Sequence, residues 1–210
     1  MTRSILFAFA TSALTGAALA APTAQPFQEP VLAQDKVLSR AIGMLQVSSS
    51  AFEQGAPIPV VYSGYGKSVS FPLSWTPGPT DTKAYAVIVE DPDSHLPQPT
   101  LHWLAYNIPA TVTSLGKSIH TREEIIGAKE MMQGRNSKNG IGYIGPHPPE
   151  GDPPHHYHVQ VFALSRMLPL KGGATLNQVI AAMNDRVVAE GEMIGTFQAP
   201  VEDAKPAPKS

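Results

Sequence analysis

Apolar residues along this chain fall mostly into short runs with strand-like spacing. Ile58–Tyr62 (IPVVY) is a β-branched run closed by Ser63 and Gly64. Tyr85–Glu90 (YAVIVE) is apolar almost throughout, the pattern of a strand covered on both faces. Leu101–Ile108 (LHWLAYNI) is another such run, stopped by Pro109. Tyr157–Leu164 (YHVQVFAL) opens with alternation, His158 and Gln160 against Val159 and Val161. Val187–Phe197 predicts a final strand pair broken at Gly191. One segment carries helical spacing. Thr175 stands as an N-cap before LNQVIAAMND, and Leu176, Val179, Ile180 and Met183 form one apolar face. Strands separated by Pro/Gly loops, with one late helix, predict a β-rich sandwich.

Composition narrows this further. Among 210 residues, 21 are Pro and 17 are Gly, which excludes a helix bundle, since Pro costs ~3 kcal/mol inside a helix. The length suits one domain with a sizeable core. Lys and Arg number 15 against 17 Asp and Glu, a net charge of −2. That balance leaves no electrostatic footprint for nucleic acid. Cysteine is absent, which excludes a thiolate nucleophile, a disulfide and a Cys-ligated metal.

The two ends differ from the middle. Residues 1–20 place Arg3 before an uncharged run that ends in Ala18-Leu19-Ala20. This predicts a signal peptide cleaved after Ala20, a periplasmic or secreted destination, and no membrane span in the mature chain. Residues 21–40, rich in Pro and Gln at their start, predict a flexible segment leading into a domain over 41–198. Residues 199–210, with three prolines, predict a flexible tail.

Two phosphate-binding motifs fail on context. Gly140-Ile-Gly142-Tyr-Ile-Gly145 matches G-x-G-x-x-G, but PHPPEGDPP follows and cannot supply the helix that fingerprint needs. Gly66-Lys67-Ser68 resembles the end of a P-loop, but Val61 stands where its first Gly belongs. There is no G-x-S-x-G and no H-E-x-x-H, so neither a hydrolase elbow nor a zinc-protease helix is present.

Polar chemistry collects in the middle instead. All seven histidines lie between residues 95 and 158. Asp91-Pro92-Asp93 ends the YAVIVE strand, His102-Trp103 sits inside an apolar strand, and a Pro-rich stretch over 145–154 leads to His155-His156-Tyr157. Each has a bland reading: a turn, a core histidine bonded to a backbone carbonyl, and a stiff connection. Together they are three rigid strand-end segments that each deliver carboxylate or imidazole, which is how small-ligand pockets are built. Strand alternation puts His156 and His158 on one face and turns His155 to the other. No metal site and no cofactor are expected from these spacings.

The string DPD, then HW eleven residues after Asp91, then NIPA, then GYIGPHPPEGDPPHHYHVQVFAL, resembles the phosphatidylethanolamine-binding protein family. More narrowly it resembles the bacterial branch described as Raf-kinase-inhibitor-like. The resemblance runs over about residues 45–198, with GRNSK (134–138) and VVAEGEMIGTF (187–197) as supporting pieces. It implies an antiparallel β-sandwich with a few small peripheral helices, and a non-catalytic pocket for phosphate, a phosphoryl headgroup or another small anion. Carried over by position, Asp91 and Asp93 are the pocket carboxylates and His102 is the imidazole on the second strand. His155 and Tyr157 are the ends of an H-R-Y motif, and Pro148 and Pro149 form the rim. A protein partner at that rim is compatible with this reading. Inhibition of a protease or kinase is the alternative function, ahead of a metal-dependent hydrolase.

The chain departs from the family pattern in three places. The D-P-D-x-P motif has become Asp91-Pro92-Asp93-Ser94-His95-Leu96-Pro97, with one extra residue before His102. His156 replaces the Arg of H-R-Y, and His147 occupies a position where a small residue or Cys is common. Carboxylates beside imidazoles favour imidazolium. His102 and His155 are therefore expected to donate to phosphoryl oxygens more strongly near pH 6, with the Tyr157 hydroxyl as a further donor. An Asp is free to accept from an ammonium group.

Overall fold

A computed structural model describes residues 30–39, 41, 43–125 and 131–201. The expected signal peptide, residues 21–29 and residues 202–210 lie outside the described residues. In chain order the described elements are helix α1 (Ala33–Lys36), strands β1 (Gly43–Met44) and β2 (Val47–Ser48), a 3-10 turn (Val60–Tyr62) and β3 (Leu73–Trp75). Then come β4 (Ala84–Asp91), β5 (Thr100–Pro109), β6 (Ser114–Leu115), β7 (Glu124–Ile125) and β8 (Met131–Gln133). The last are β9 (His155–Leu164), helix α2 (Leu176–Met183) and β10 (Val187–Phe197).

The main sheet has seven strands in the order β1-β10-β9-β4-β5-β8-β7, antiparallel except where β1 runs parallel to β10. A second sheet, β2-β3-β6, packs against one face of it. The apolar run of the sequence explains the centre. β4 lies between β9 and β5 and is buried at every position, so both of its faces need hydrophobic side chains. Tyr85, Val87 and Val89 face the small sheet with Trp75, Trp103 and Phe71, while Ala84, Ala86 and Ile88 face α1 and α2. The β-rich sandwich with small peripheral helices is the observed architecture.

Helix α2 starts where the sequence places it. The Thr175 side chain accepts from the Gln178 N–H, and Gln178 Oε1 accepts the Thr175 N–H in return. Val179, Ile180 and Met183 are buried against the sheet.

Three expectations are corrected. Ile58–Tyr62 is not a strand: Pro59 caps a 3-10 turn that leaves Val60 and Val61 exposed, while Ile58 is buried in the core and Tyr62 packs against it. Val187–Phe197 is one strand, not a pair. Gly191 is there because the Leu45 carbonyl oxygen lies 2.1 Å from where a Cβ would stand, so the glycine admits the β1 edge rather than a turn. The packed domain also begins before residue 41. Leu32, Ala33 and Val37 are buried, and the Ala33 N–H donates to Glu90 Oε2 at 2.7 Å.

Candidate functional site

The site lies at the end of the sheet where β4 stops and β9 starts. Alternation along β4 sends Glu90 and Asp91 to opposite faces. Glu90 turns to the helix side, where its Oε2 accepts from Ala33 N–H and Gln160 Nε2. Burial raises its pKa, against the opposing effect of those bonds. Asp91 turns to the other side. Its Oδ1 accepts the Asp93 N–H at 2.9 Å, closing an Asx turn, and its Oδ2 lies 2.9 Å from His155 Nδ1. Both side chains of that pair are nearly sealed, at 5% and 4% exposure.

A β-bulge supplies the third member. The register between β4 and β5 pairs Val89 with Trp103 and Glu90 with Leu101, so His102 is the extra residue. Trp103 therefore fills the core while His102 still points to the site. His102 Nδ1 lies 2.9 Å from the Ile144 carbonyl, which can only accept, so Nδ1 carries the proton. Its Nε2 is buried and has no partner among the described residues. Burial holds the His102 pKa below its ordinary value, outweighing the Ile144 bond and the Asp91 charge. Burial thus works against the expected imidazolium, and with the proton on Nδ1 the neutral ring offers a lone pair at Nε2. The core-histidine reading and the pocket reading both describe it.

The 145–154 loop is pinned into a wall. A Cβ on Gly145 would stand 2.5 Å from the Tyr62 carbonyl oxygen, so only glycine permits that close approach. The His147 ring stacks on Tyr65 at 4.3 Å and 7°, and the Tyr65 hydroxyl donates to the Pro148 carbonyl. The resulting pocket, about 490 Å³, is lined by five of the seven expected residues: Asp91, His102, Pro148, Pro149 and His155.

Two expected residues are placed differently. Asp93 does not line the pocket: its Oδ2 accepts the His156 N–H and pairs with His156 Nδ1, both at 2.7 Å, and so ties down the start of β9. Burial acts to raise the Asp93 pKa, but these bonds outweigh it and hold the carboxyl low. Tyr157 also does not line it. It lies edge-on to the His102 ring at 5.1 Å, and its buried hydroxyl makes no hydrogen bond of ordinary geometry among the described residues. Burial, and then the Asp91 charge, push its pKa far up.

Other lining residues were not named as site residues from sequence, although His95 and His147 stood out as departures from the family pattern. His95, Lys138, His147 and Asp152 all face the pocket. Asp152 Oδ2 lies 2.9 Å from His95 Nε2 and 3.4 Å from His155 Nε2. The bond from His95, more than any other influence, holds the Asp152 carboxyl below the usual range. His95 and Asp152 are 57 residues apart, so no local spacing announces their contact. The signal was their presence in the two loops that depart from, or lead into, the family motifs.

The family model for phosphatidylethanolamine-binding protein matches residues 48–198. A UPF0098 protein of Pyrococcus horikoshii is 37% identical over 150 residues, covering 71% of this chain and 75% of that one. A UPF0098 protein of Aquifex aeolicus is 35% identical over 164 residues, covering 78% and 94%. Among solved structures, Escherichia coli YbcL, described as a member of the mammalian PEBP family, superposes with a TM-score of 0.68 at 32% identity, covering 75% of this chain and all of that one. A phosphatidylethanolamine-binding protein homologue from Chlamydia trachomatis gives 0.67 at 33% identity, covering 75% and 99%. The matched span holds both sheets except β1 and the first residue of β2, with every pocket residue named above, and the chain belongs to the phosphatidylethanolamine-binding protein family.

Proposed function

We propose that this protein is a non-catalytic binding protein for a small phosphorylated ligand, phosphate itself or a phosphoryl headgroup. The observation that carries the reading is the buried, unpartnered Nε2 of His102 in a pocket that also holds His155 and Lys138. A phosphate monoanion presents both kinds of group this pocket answers. Its unprotonated oxygens accept from the Lys138 ammonium, from the Ser137 hydroxyl and from a ring N–H of His155. Its remaining P–OH donates to the His102 lone pair, which an anion without a proton would meet unfavourably. An ethanolamine ammonium, where present, is matched by the Asp91 and Asp152 carboxylates. Rigid proline walls limit the ordering cost of binding.

Phosphate should therefore bind more tightly than sulfate, which carries no O–H at neutral pH. Calorimetric titration with phosphate, phosphorylethanolamine and sulfate tests this. His155→Ala should weaken phosphate binding by ~1.5–3 kcal/mol, the cost of a charged hydrogen bond. His156→Ala should not, because that side chain lies outside the pocket against Asp93. Equal binding of sulfate and phosphate, or indifference to His155→Ala, overturns the reading. The proposal includes export: the uncharged run ending in Ala18-Leu19-Ala20 supports a mature N-terminus at Ala21. N-terminal sequencing of the native protein that returned Met1 or Thr2 would refute that part.

A further inference from the structure

Three ligand-type side chains meet at the pocket mouth: His95 from the 92–99 loop, Asp152 from the Pro-rich loop and His155 at the start of β9. One donor atom from each lies within 4.8 Å of the other two. We propose that His95, Asp152 and His155 form a binding site for a divalent transition-metal ion of the zinc class. Three arguments support it.

The first is geometric. Donor atoms around a tetrahedral ion with ~2.0 Å bonds stand ~3.3 Å apart. The two measured separations to Asp152 Oδ2, 2.9 and 3.4 Å, bracket that spacing. The remaining adjustment falls on His95, whose side chain is 73% exposed and free to turn.

The second is the state of His155. Its Nδ1 lies against the sealed Asp91 carboxylate, an acceptor, so Nδ1 carries the proton and Nε2 is left to ligate. A carboxylate behind a histidine in this way fixes the tautomer and ring orientation and raises ligand basicity. Asp91 is thus a positioning residue, held in turn by the Asp93 N–H.

The third is charge. The Asp152 carboxylate stands within the cluster and the Asp91 carboxylate directly behind it, an acidic setting that complements a divalent cation. Two imidazoles and one carboxylate are the donor set that suits zinc and its neighbours rather than magnesium or calcium. Three protein ligands leave a coordination position open to the 490 Å³ pocket.

The site does not depend on the phosphate reading, and its test is run without phosphate. Untagged protein, freed of metal by chelator, is titrated with Zn2+ by calorimetry and with Co2+ by visible absorption. The expected result is one ion per chain, with the intense bands of low-coordinate cobalt. His95→Ala and Asp152→Asn should each weaken binding at least tenfold. Asp91→Asn should weaken it by 10–100-fold, as loss of a ligand's supporting carboxylate does. His156→Ala removes an exposed histidine that also pairs with an aspartate, and should change nothing. His95 is exposed, so its variant tests the site without threatening the fold. Zinc binding no tighter in wild type than in His95→Ala, or lost in His156→Ala instead, overturns the proposal. Protein that binds phosphate but not zinc retires this site alone; protein that binds zinc but not phosphate retires the anion reading alone.

Discussion

Replacing Asp91 by Asn tests how the pocket is held together. The wild-type carboxylate uses both oxygens: Oδ1 accepts the Asp93 N–H and Oδ2 faces His155 Nδ1, each at 2.9 Å. Asparagine has the same shape but only one acceptor. Whichever way it turns, one of the two native donors meets an NH2 group. If Asn keeps the Asp93 bond, His155 must abandon its tautomer; if it keeps His155, the loop turn opens. The pair is nearly sealed from water, so solvent does little to compensate. The loss of one charge-assisted bond should cost about 1.5–3 kcal/mol, or roughly 3–12 °C in Tm for a domain of this size. Urea unfolding followed by circular dichroism measures the first and calorimetry the second. Phosphate affinity should fall in parallel, because His155 is no longer oriented. A variant with unchanged Tm and unchanged phosphate affinity would refute the assigned role of the Asp91–His155 pair.

Three further outcomes follow from other parts of the molecule. His102, with its pKa depressed by burial, should gain its second proton in long-range nitrogen NMR spectra only at lower pH than a free imidazole does, and its contribution to stability is full above ~6.5 and lost as pH falls through its folded value; titration at or above the free-imidazole range would contradict this. Glu90, with its pKa raised by burial, contributes most below ~4.5 and less as pH rises toward its folded value, so the stability of Glu90→Gln relative to wild type should grow with pH above that point, and a pH-independent difference would be the adverse result. Gly191→Ala would press a Cβ onto the Leu45 carbonyl; it should cost about 1–3 kcal/mol as overpacking does and speed exchange of the Leu45 amide, which donates to the Glu190 carbonyl, whereas wild-type stability would refute the close approach.

The long central strands were legible because burial on both faces leaves no polar positions to blur the pattern, as in Tyr85–Glu90 and the apolar half of Tyr157–Leu164. Helix α2 was legible because the Thr175/Gln178 cap and its apolar face agree. The short strands β1, β2, β6 and β8 were not, since two or three residues carry no period. Ile58–Tyr62 misled because β-branched composition resembles a strand even where prolines bracket an exposed turn. At the site, Asp91, His102 and His155 could be named because rigid strand ends carry them. Asp93 misled because it shares a motif with Asp91, but the Asx turn sends its side chain toward His156. The tautomer of His102 was hidden: it is set by the Ile144 carbonyl, 42 residues away, which no sequence pattern reveals. The meeting of His95 with Asp152 was hidden for the same reason.

On the proposed reading, a phosphoryl group is held in this pocket through the lone pair of His102 and the ring of His155. A crystal structure of the protein grown with saturating phosphorylethanolamine tests it most directly. Phosphoryl density is expected in the pocket, with one oxygen within hydrogen-bond distance of His102 Nε2 and another within reach of His155. A pocket that holds only water under those conditions, or a ligand bound elsewhere on the molecule, would contradict it.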